Sequence, residues 1–319
     1  MARNGTQSND RLFFGTTGAF ALLLVLLVAA IAGILAYQSR LSIASFGWTF
    51  WATSTWDPVA GQFGAFPFIW GTLYSSLLAL ALATPVALGI AIFLSELCPA
   101  WLRTPLTFLT ELLASIPSIV YGLWGIFVLV PAIRSLQQEL PEWLAQLPLF
   151  SGPPIGVSLL TASVVLAIMI IPFTSSVARE VLKAVPPSQR EGAYAMGATR
   201  WEATKVALYY ARTGVMGAIL LGLGRAIGET MAVTMVIGNR PISSWSLFEP
   251  QYTMAAVIAN EFAEAADDLH LSALIEVGLV LFTITLVINL ASRLLIWRMT
   301  RQRSQRPRVA TVPAQESAA

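Results

Sequence analysis

Six long apolar stretches, separated by shorter polar segments, dominate the sequence. Each is rich in leucine, isoleucine, valine and alanine, and none shows the strict alternation of a barrel strand. A helix needs about 20 mostly apolar residues to cross the hydrocarbon core, and lipid offers the backbone no hydrogen bonds. The pattern therefore predicts an all-α integral membrane protein with six transmembrane helices. The predicted spans are approximately 13–37, 69–95, 107–133, 156–178, 214–238 and 273–297.

The first apolar stretch has the basic leader of a signal peptide, because Arg3 and Arg11 precede it. Its apolar run, from about Phe13 to Ala36, is longer than a signal core of about 7–15 residues. We therefore interpret this stretch as an uncleaved anchor helix.

Basic residues are distributed unequally over the two sides that six spans create. With the N-terminus in the cytoplasm, fifteen of the 19 Lys and Arg residues fall on the cytoplasmic side. Three fall on the opposite side, Arg40, Arg134 and Arg240, and Arg225 lies inside a predicted span. Because cytoplasmic loops carry an excess of Lys and Arg, we expect both termini in the cytoplasm.

Composition agrees with a membrane protein and excludes several other classes. Charged residues make up 11% of the chain, against about 25% in soluble domains. A net charge of +2, without a basic run interleaved with aromatics, excludes nucleic acid as a partner. With one cysteine, Cys98, and one histidine, His270, no disulfide, metal or other cofactor is predicted. Since the sequence has neither a nucleophile–base constellation nor a Gly-x-x-x-x-Gly-Lys-Ser/Thr phosphate loop, we expect no enzyme activity and no ATP hydrolysis by this chain.

The longest predicted cytoplasmic segment, 179–212, is patterned as a helix, a turn and a second helix. The prolines before Ser188 favour a helix start there, and Gly197 with the two residues after it predicts a turn. A second short helix is expected from Trp201 onward, leading into the fifth span. The expected product is a hairpin across the inner face of the membrane.

The fifth predicted span carries a charged residue about midway along its length, Arg225. An Arg at the bilayer centre costs at least about 2.5–3.5 kcal/mol on insertion scales, so its charge should face protein or water. Glu229 follows four residues later and shares a helix face with Arg225 and with the small residues Gly214, Ala218 and Gly222. Two interpretations stay open. The pair either locks helices together, or Arg225 lines the path of an anion with Glu229 as its resting partner.

The residues around Arg225 form a long motif. It runs from Leu223 to Thr234 as Leu-Gly-Arg-Ala-Ile-Gly-Glu-Thr-Met-Ala-Val-Thr, and Ile-Gly-Asn follows at 237–239. This motif resembles the PstC family of permease subunits of phosphate ABC importers, and its Met-Ala-Val ending is less similar to the sister family, PstA. Further stretches that resemble the PstC family are Phe66–Leu73, Ser95–Leu97 and Glu111–Gly125.

The resemblance implies a fold, a role and a set of partners. It implies the type I ABC importer permease fold, with this chain forming half of a phosphate pathway in the bacterial inner membrane. Arg225, Glu229 and Thr230 are the implied pathway residues. The implied partners are a PstA-like second permease subunit, a PstB-like cytoplasmic ATPase dimer, a PstS-like periplasmic phosphate-binding protein and membrane lipid.

The cytoplasmic hairpin carries a second resemblance. Glu191-Gly192-Ala193, followed after three residues by Gly197, is similar to the coupling loop of ABC-importer permeases. The resemblance implies that Glu191, Gly192, Ala193 and Gly197 dock the ATPase. Two departures are visible: Gly192 replaces the usual alanine, and Leu-Tyr-Tyr at 208–210 replaces the usual Leu-Pro ending. The second departure leaves the end of the second helix open.

Two other functions stay open at this point. One is a permease for a different oxyanion, sulfate or molybdate, because a separate binding protein would select the substrate. The other is an ion-coupled secondary transporter, a class that usually shows broken helices in both halves of the chain. The first half of this sequence shows no charged span to match the fifth.

Pro117 falls inside the predicted third span. A proline there frees a backbone carbonyl and permits a kink. The kink serves either as a gating bend or as a packing shape.

The predicted division of the chain follows from the spans and the resemblance. Its parts are a cytoplasmic N-terminal tail (1–12), the first transmembrane helix (13–37), a periplasmic segment (38–68), a five-helix ABC permease core (69–297) that includes the coupling loop (179–212), and a disordered cytoplasmic tail (298–319).

Overall fold

The computed structural model describes the backbone of residues 3–304 and the side chains of residues 13–299. Within this part of the chain the regular structure is helical, apart from two isolated bridges. The α-helices are α1 (Arg3–Gln38), α2 (Arg40–Phe46), α3 (Phe66–Ile92), α4 (Ala100–Ala114), α5 (Ser118–Trp124), α6 (Val130–Gln138), α7 (Glu142–Ala145), α8 (Leu159–Lys183), α9 (Pro187–Ala195), α10 (Arg200–Ile227), α11 (Met231–Val236), α12 (Met254–Glu261) and α13 (Asp268–Ser304). A 3₁₀ turn covers Gly47–Trp51, and π-helical turns cover Phe93–Leu97 and Gly125–Leu129.

Six helical segments among the described residues are long and apolar enough to cross a membrane. They are Phe13–Gln38, Phe66–Leu97, Ser118–Gln138, Leu159–Lys183, Arg200–Ile227 and Asp268–Met299. The prediction of an all-α membrane protein with six transmembrane helices is confirmed.

The third predicted span, 107–133, was wrong in its first part. α4 ends at Ala114, and α5 begins at Ser118 after an interruption that contains Pro117. Pro117 has a ψ of 138° and stands at the cap of α5. Proline cannot donate to the preceding turn and it pushes the residue before it away from the α conformation. Pro117 therefore separates two helices, where the sequence predicted a bend in one.

The fifth predicted span, 214–238, is also interrupted. α10 begins fourteen residues before the predicted start, at Arg200, and ends at Ile227. Gly228 follows with φ −88° and ψ 0°, and α11 begins only at Met231. Arg225 therefore lies in the last turn of α10, and the expectation of a position midway along one continuous helix was wrong.

α8 lies at the centre of the bundle and packs against α3, α4 and α10. The small residues predicted to share a face of the fifth span form the contact with α8. A Cβ on Gly222 would overlap Thr174 Oγ1, and a Cβ on Gly214 would lie 2.5 Å from Val181 Cγ1. Ala218, between these glycines, is fully buried. Small residues let the two backbones approach closely, as expected of helix packing in membranes.

One end of the bundle is closed by an aromatic cluster. Phe63 stacks on His270 at 5.3 Å between ring centroids, and Trp56 meets both Phe63 and Phe68 edge-on. Trp56 Nε1–H donates to Glu261 Oε2 at 2.9 Å. The segment 38–68, which was predicted to be periplasmic, therefore folds onto α12 and α13 and shares their core.

The two predicted tails overlap terminal helices. α1 starts at Arg3, inside the predicted N-terminal tail 1–12, whose side chains lie outside the described residues. α13 continues to Ser304, inside the predicted C-terminal tail 298–319. The part of that tail from 305 to 319 lies outside the described residues.

Candidate functional site

The interruption between α10 and α11 forms the first half of the candidate site. The backbone N–H groups of Gly228 and Glu229 turn back onto the carbonyls of Gly224 and Ala226, both at 3.4 Å, so the last turn of α10 closes on itself. The Glu229 carboxylate then accepts the N–H of Ala232 at 3.3 Å. A carboxylate in that position satisfies an otherwise free donor of the next helix, α11, as an N-cap side chain does.

Arg225 is unpaired at this interruption. Its Nε is buried without a hydrogen-bond partner, and among the described residues no carboxylate lies within ion-pair distance of its guanidinium. Its Cζ lies 5.5 Å from the ring centroid of Phe173 on α8, a cation–π contact. The predicted ion pair with Glu229 was wrong, because the helix ends at Ile227 and the i, i+4 relation no longer holds for these two residues.

The interruption between α4 and α5 lies beside the interruption between α10 and α11. A Cβ on Gly122 of α5 would lie 3.1 Å from the Cα of Ala232 on α11, so the two short helices are in backbone contact. Tyr121 is buried, lies within electrostatic range of Arg225, and donates its hydroxyl to the Leu113 carbonyl at 2.8 Å across the α4–α5 gap. The structure therefore brings two helix interruptions together around one guanidinium.

Phe173 and Tyr121 were missed as neighbours of Arg225. Phe173 contacts Arg225 and Tyr121 lies within its electrostatic range, and the sequence signals for both are indirect. Tyr121 falls in the stretch Glu111–Gly125 that resembles the PstC family, and Gly122 beside it permits the close approach of α11. No local pattern marks Phe173, which follows a proline inside the fourth span.

The chemistry of this arrangement suits an anion. Arg225 and Thr230 are both half-buried, and the Thr230 hydroxyl makes only a long bond of 3.4 Å to the Gly228 carbonyl. A guanidinium stays charged at all accessible pH values and presents a planar set of donors that matches the oxygens of phosphate or a similar oxyanion. Arg225 and Thr230 offer such donors, while Glu229 is engaged with α11.

The cytoplasmic hairpin forms a second candidate site. α9, a turn at Met196–Thr199 and the start of α10 confirm the predicted helix–turn–helix. Gly197 occupies the turn with φ +82°, a conformation that glycine adopts without strain. The second helix is not short: it is the first part of α10, which continues without a break into the membrane. Leu-Tyr-Tyr at 208–210 lies inside this helix, so the departure seen there does not end it.

The start of α10 is fixed by a capping box. The Thr199 side chain accepts the N–H of Glu202, and the Glu202 carboxylate accepts the N–H of Thr199 at 2.7 Å. The backbone hydrogen bond from Thr199, followed by the one from its hydroxyl, lowers the pKa of Glu202, so this carboxylate is ionised at neutral pH. The hairpin is therefore held in shape by its own local bonds.

Of the four predicted docking residues, Glu191, Gly192 and Gly197 are exposed and Ala193 is half-buried. A shallow groove of about 490 Å³ runs between α9 and α10 beside them. Met196, at the tip, is 90% exposed, and it was not among the predicted docking residues.

Comparisons with known proteins assign the family. A family model described as "Binding-protein-dependent transport system inner membrane component" matches residues 83–301, more than half of the chain. The chain belongs to this family. The permease is 50% identical over 303 residues to "Phosphate transport system permease protein PstC" of Pasteurella multocida, covering 93% of this chain and 94% of the relative. It is 46% identical to the protein of the same name in Mesorhizobium japonicum, covering 91% and 90%. The resemblance to the PstC family is confirmed.

More distant comparisons support the same fold. "Probable phosphate transport system permease protein PstC" of Methanocaldococcus jannaschii is 37% identical over 272 residues, covering 83% of this chain and 86% of the relative. Among solved structures, the permease is similar to a chain of the MetNI methionine ABC transporter in inward-facing conformations, with a TM-score of 0.55 and 17% identity. That likeness covers 72% of this chain and 93% of the MetNI chain. The predicted type I ABC importer permease fold is confirmed.

Proposed function

We propose that this permease forms half of the translocation pathway of an ATP-driven inorganic phosphate importer. The observation that carries the proposal is an unpaired guanidinium, Arg225, at a double helix interruption in a chain whose relatives are named phosphate transport permeases. Thr230 supplies a second donor to the passing anion. Glu229 holds the start of α11 beside Arg225, and the negative charge of Glu229 limits how tightly an anion binds.

The energetics favour a transient anion at this position. A charged side chain within the membrane is costly, and neutralisation by a partner reduces the cost. Arg225 has no such partner among the described residues, so an anion in the pathway would fill that role. Tight binding of the anion would slow its release. A single guanidinium with one hydroxyl therefore suits transport of the anion better than its retention.

The continuous helix α10 couples the pathway to the cytoplasm. Its 28 residues span about 42 Å at about 1.5 Å per residue, with the hairpin at one end and Arg225 at the other. In the proposed cycle, Glu191, Gly192, Ala193 and Gly197 dock a PstB-like ATPase dimer. ATP binding moves the hairpin, and α10 carries that movement to Arg225.

The remaining partners follow from the same proposal. A PstA-like subunit supplies the other half of the pathway, and a PstS-like binding protein delivers phosphate to the outer face. The chain lies in the bacterial inner membrane with both termini in the cytoplasm, as the excess of Lys and Arg on that side predicts. ATP is hydrolysed by the separate ATPase subunits, since this sequence has no phosphate loop.

Uptake by proteoliposomes tests the proposed function. The four components would be reconstituted, with ATP inside the vesicles and radiolabelled phosphate presented on the binding protein outside. We expect accumulation that requires hydrolysable ATP and that excess sulfate or molybdate does not reduce. Accumulation driven by a proton or sodium gradient alone would indicate a secondary transporter, and competition by sulfate or molybdate would indicate a different oxyanion.

A further inference from the structure

The arginine before the predicted docking motif is bound to two membrane helices. Arg190, on α9, forms a forked ion pair with Glu96 in the π-helical turn that ends the second span: Nε donates to Oε2 at 2.9 Å and Nη2 to Oε1 at 2.6 Å. The same guanidinium donates to the carbonyls of Leu182 and Val185, both at 2.9 Å, where α8 ends. One side chain therefore joins α9, the end of the second span and the end of α8.

This site differs from an ordinary surface ion pair. The Glu96 side chain is 9% exposed and that of Arg190 is 21% exposed, and the hydrogen bonding of the Arg190 guanidinium to the Glu96 carboxylate is the main cause that raises the pKa of Arg190. The neighbouring pair Lys183–Glu180 is longer, at 3.3 Å, and its side chains are 42% and 59% exposed. Exposed pairs of that kind contribute little, whereas a forked and shielded arginine–carboxylate pair fixes distance and orientation.

The hydrogen bonds of Arg190 restrict rotation between α8 and α9. Only Ala184–Pro186 link α8 to α9, so the covalent connection alone leaves α9 free to swivel about that short segment. The second span has no short covalent link to α9, because Glu96 precedes Arg190 by 94 residues. Arg190 also donates to carbonyls at the end of α8, where backbone acceptors outnumber intrahelical donors.

We propose that Arg190 is a positioning residue that transmits movement of α9 to α3 and α8, and thereby sets how many phosphate ions move per ATP hydrolysed. The inference rests on the proposed function. α3 and α8 pack along one another, and α10 packs against both, so a displacement of α9 that reaches α3 and α8 through Arg190 adds to the movement that α10 carries itself. When the Arg190–Glu96 link is lost, hydrolysis continues but the two membrane helices no longer follow the hairpin.

The test measures the ratio of phosphate moved to ATP hydrolysed in the reconstituted four-component complex. Arg190→Lys keeps the charge but offers a single ammonium group, which cannot donate to both Glu96 oxygens and to both carbonyls at once. Glu96→Gln keeps the shape and removes the charge. Radiolabelled phosphate uptake and ATP hydrolysis would be measured in the same vesicles, with Lys183→Gln as the matched control on the exposed pair.

Both Arg190→Lys and Glu96→Gln should lower the ratio of phosphate moved to ATP hydrolysed by about fivefold or more, the lower end of typical coupling effects. Hydrolysis itself should stay within about twofold of the unmodified complex, and Lys183→Gln should leave the ratio unchanged. Unchanged ratios in Arg190→Lys and Glu96→Gln would overturn the inference, as would loss of assembly in both, which would make the pair a folding element. Absence of ATP-dependent uptake by the unmodified complex would instead contradict the proposed function.

Discussion

Arg225 differs from Arg179 and Arg190 in what surrounds it. Arg179 is 4% exposed and pairs with Glu111 and Glu180, and Arg190 pairs with Glu96. Arg225 instead faces the ring of Phe173 and pairs with no carboxylate among the described residues. Carboxylate partners neutralise Arg179 and Arg190, so the charges of these two residues are not available to a ligand. In the proposed function, the charge of Arg225 is available to an anion.

Close backbone packing at Gly71 gives a prediction about single residues. A Cβ on Gly71 of α3 would overlap the Tyr252 carbonyl oxygen, a backbone atom that cannot rotate away. Gly71→Ala should therefore destabilise the permease by about 1–3 kcal/mol. Gly89→Ala on the same helix meets nothing within 4 Å and should be neutral or stabilising by up to about 1 kcal/mol.

Thermal unfolding in detergent, followed by tryptophan fluorescence, measures both glycine variants. The predicted order of melting temperatures is Gly71→Ala lowest, then the unmodified permease, with Gly89→Ala equal to it or higher. An equal loss in both variants would contradict the packing argument, because helix propensity favours alanine over glycine at both positions.

At the scale of whole helices, hydropathy located the membrane segments but not their interruptions. Apolar residues flank both gaps, at 115–117 and at 228–230, so the pattern predicted unbroken spans there. The sequence signals for the breaks were Pro117 and Gly228. A membrane helix that contains such a residue either continues or ends there, depending on what packs against it. Here α5 packs against α11, and this tertiary contact is not visible in the local sequence.

The cytoplasmic hairpin was predicted more fully, because its signals are local. Prolines, a turn glycine and a Thr-x-x-Glu capping box act within a few residues of each other. The role of Arg190 was not predicted, since its partner Glu96 is far away in the sequence.

The turn of the hairpin gives a prediction at this scale. Gly197→Val places a β-branched residue at φ +82°, which costs about 1–2 kcal/mol or shifts the turn. Because the proposed docking surface depends on the angle between α9 and α10, the variant should retain less ATPase during co-purification in detergent.

Gly61→Val is the matched control for the turn variant. Gly61 also has a positive φ, +65°, and open space around it, but it lies in the outer segment 38–68. It should retain as much ATPase as the unmodified permease. Equal ATPase retention by Gly197→Val would contradict the assignment of the hairpin as the docking element.

At the scale of the whole molecule, two connections lead from the hairpin into the helical bundle. α10 joins the hairpin to Arg225, and Arg190 joins the hairpin to α3 and α8. In the proposed cycle, the hairpin therefore acts on Arg225 along one helix and on the surrounding bundle through another contact. One connection is a continuous helix and the other is a side-chain ion pair. With two such connections the pathway can change shape when the hairpin moves, whereas a single rigid body could not.

The central claim is that the Arg225 guanidinium carries the anion through the membrane, and one measurement tests it most directly. ATP-dependent phosphate uptake would be compared in proteoliposomes containing the unmodified permease, Arg225→Ala, Arg225→Lys and, as an exposed outer control, Arg134→Ala. Loss of a charged hydrogen-bond donor should reduce uptake at least about tenfold in Arg225→Ala. Arg225→Lys should retain part of the uptake and Arg134→Ala all of it, with assembly of the complex unchanged in each. Uptake at the unmodified rate by a fully assembled Arg225→Ala complex would contradict the account.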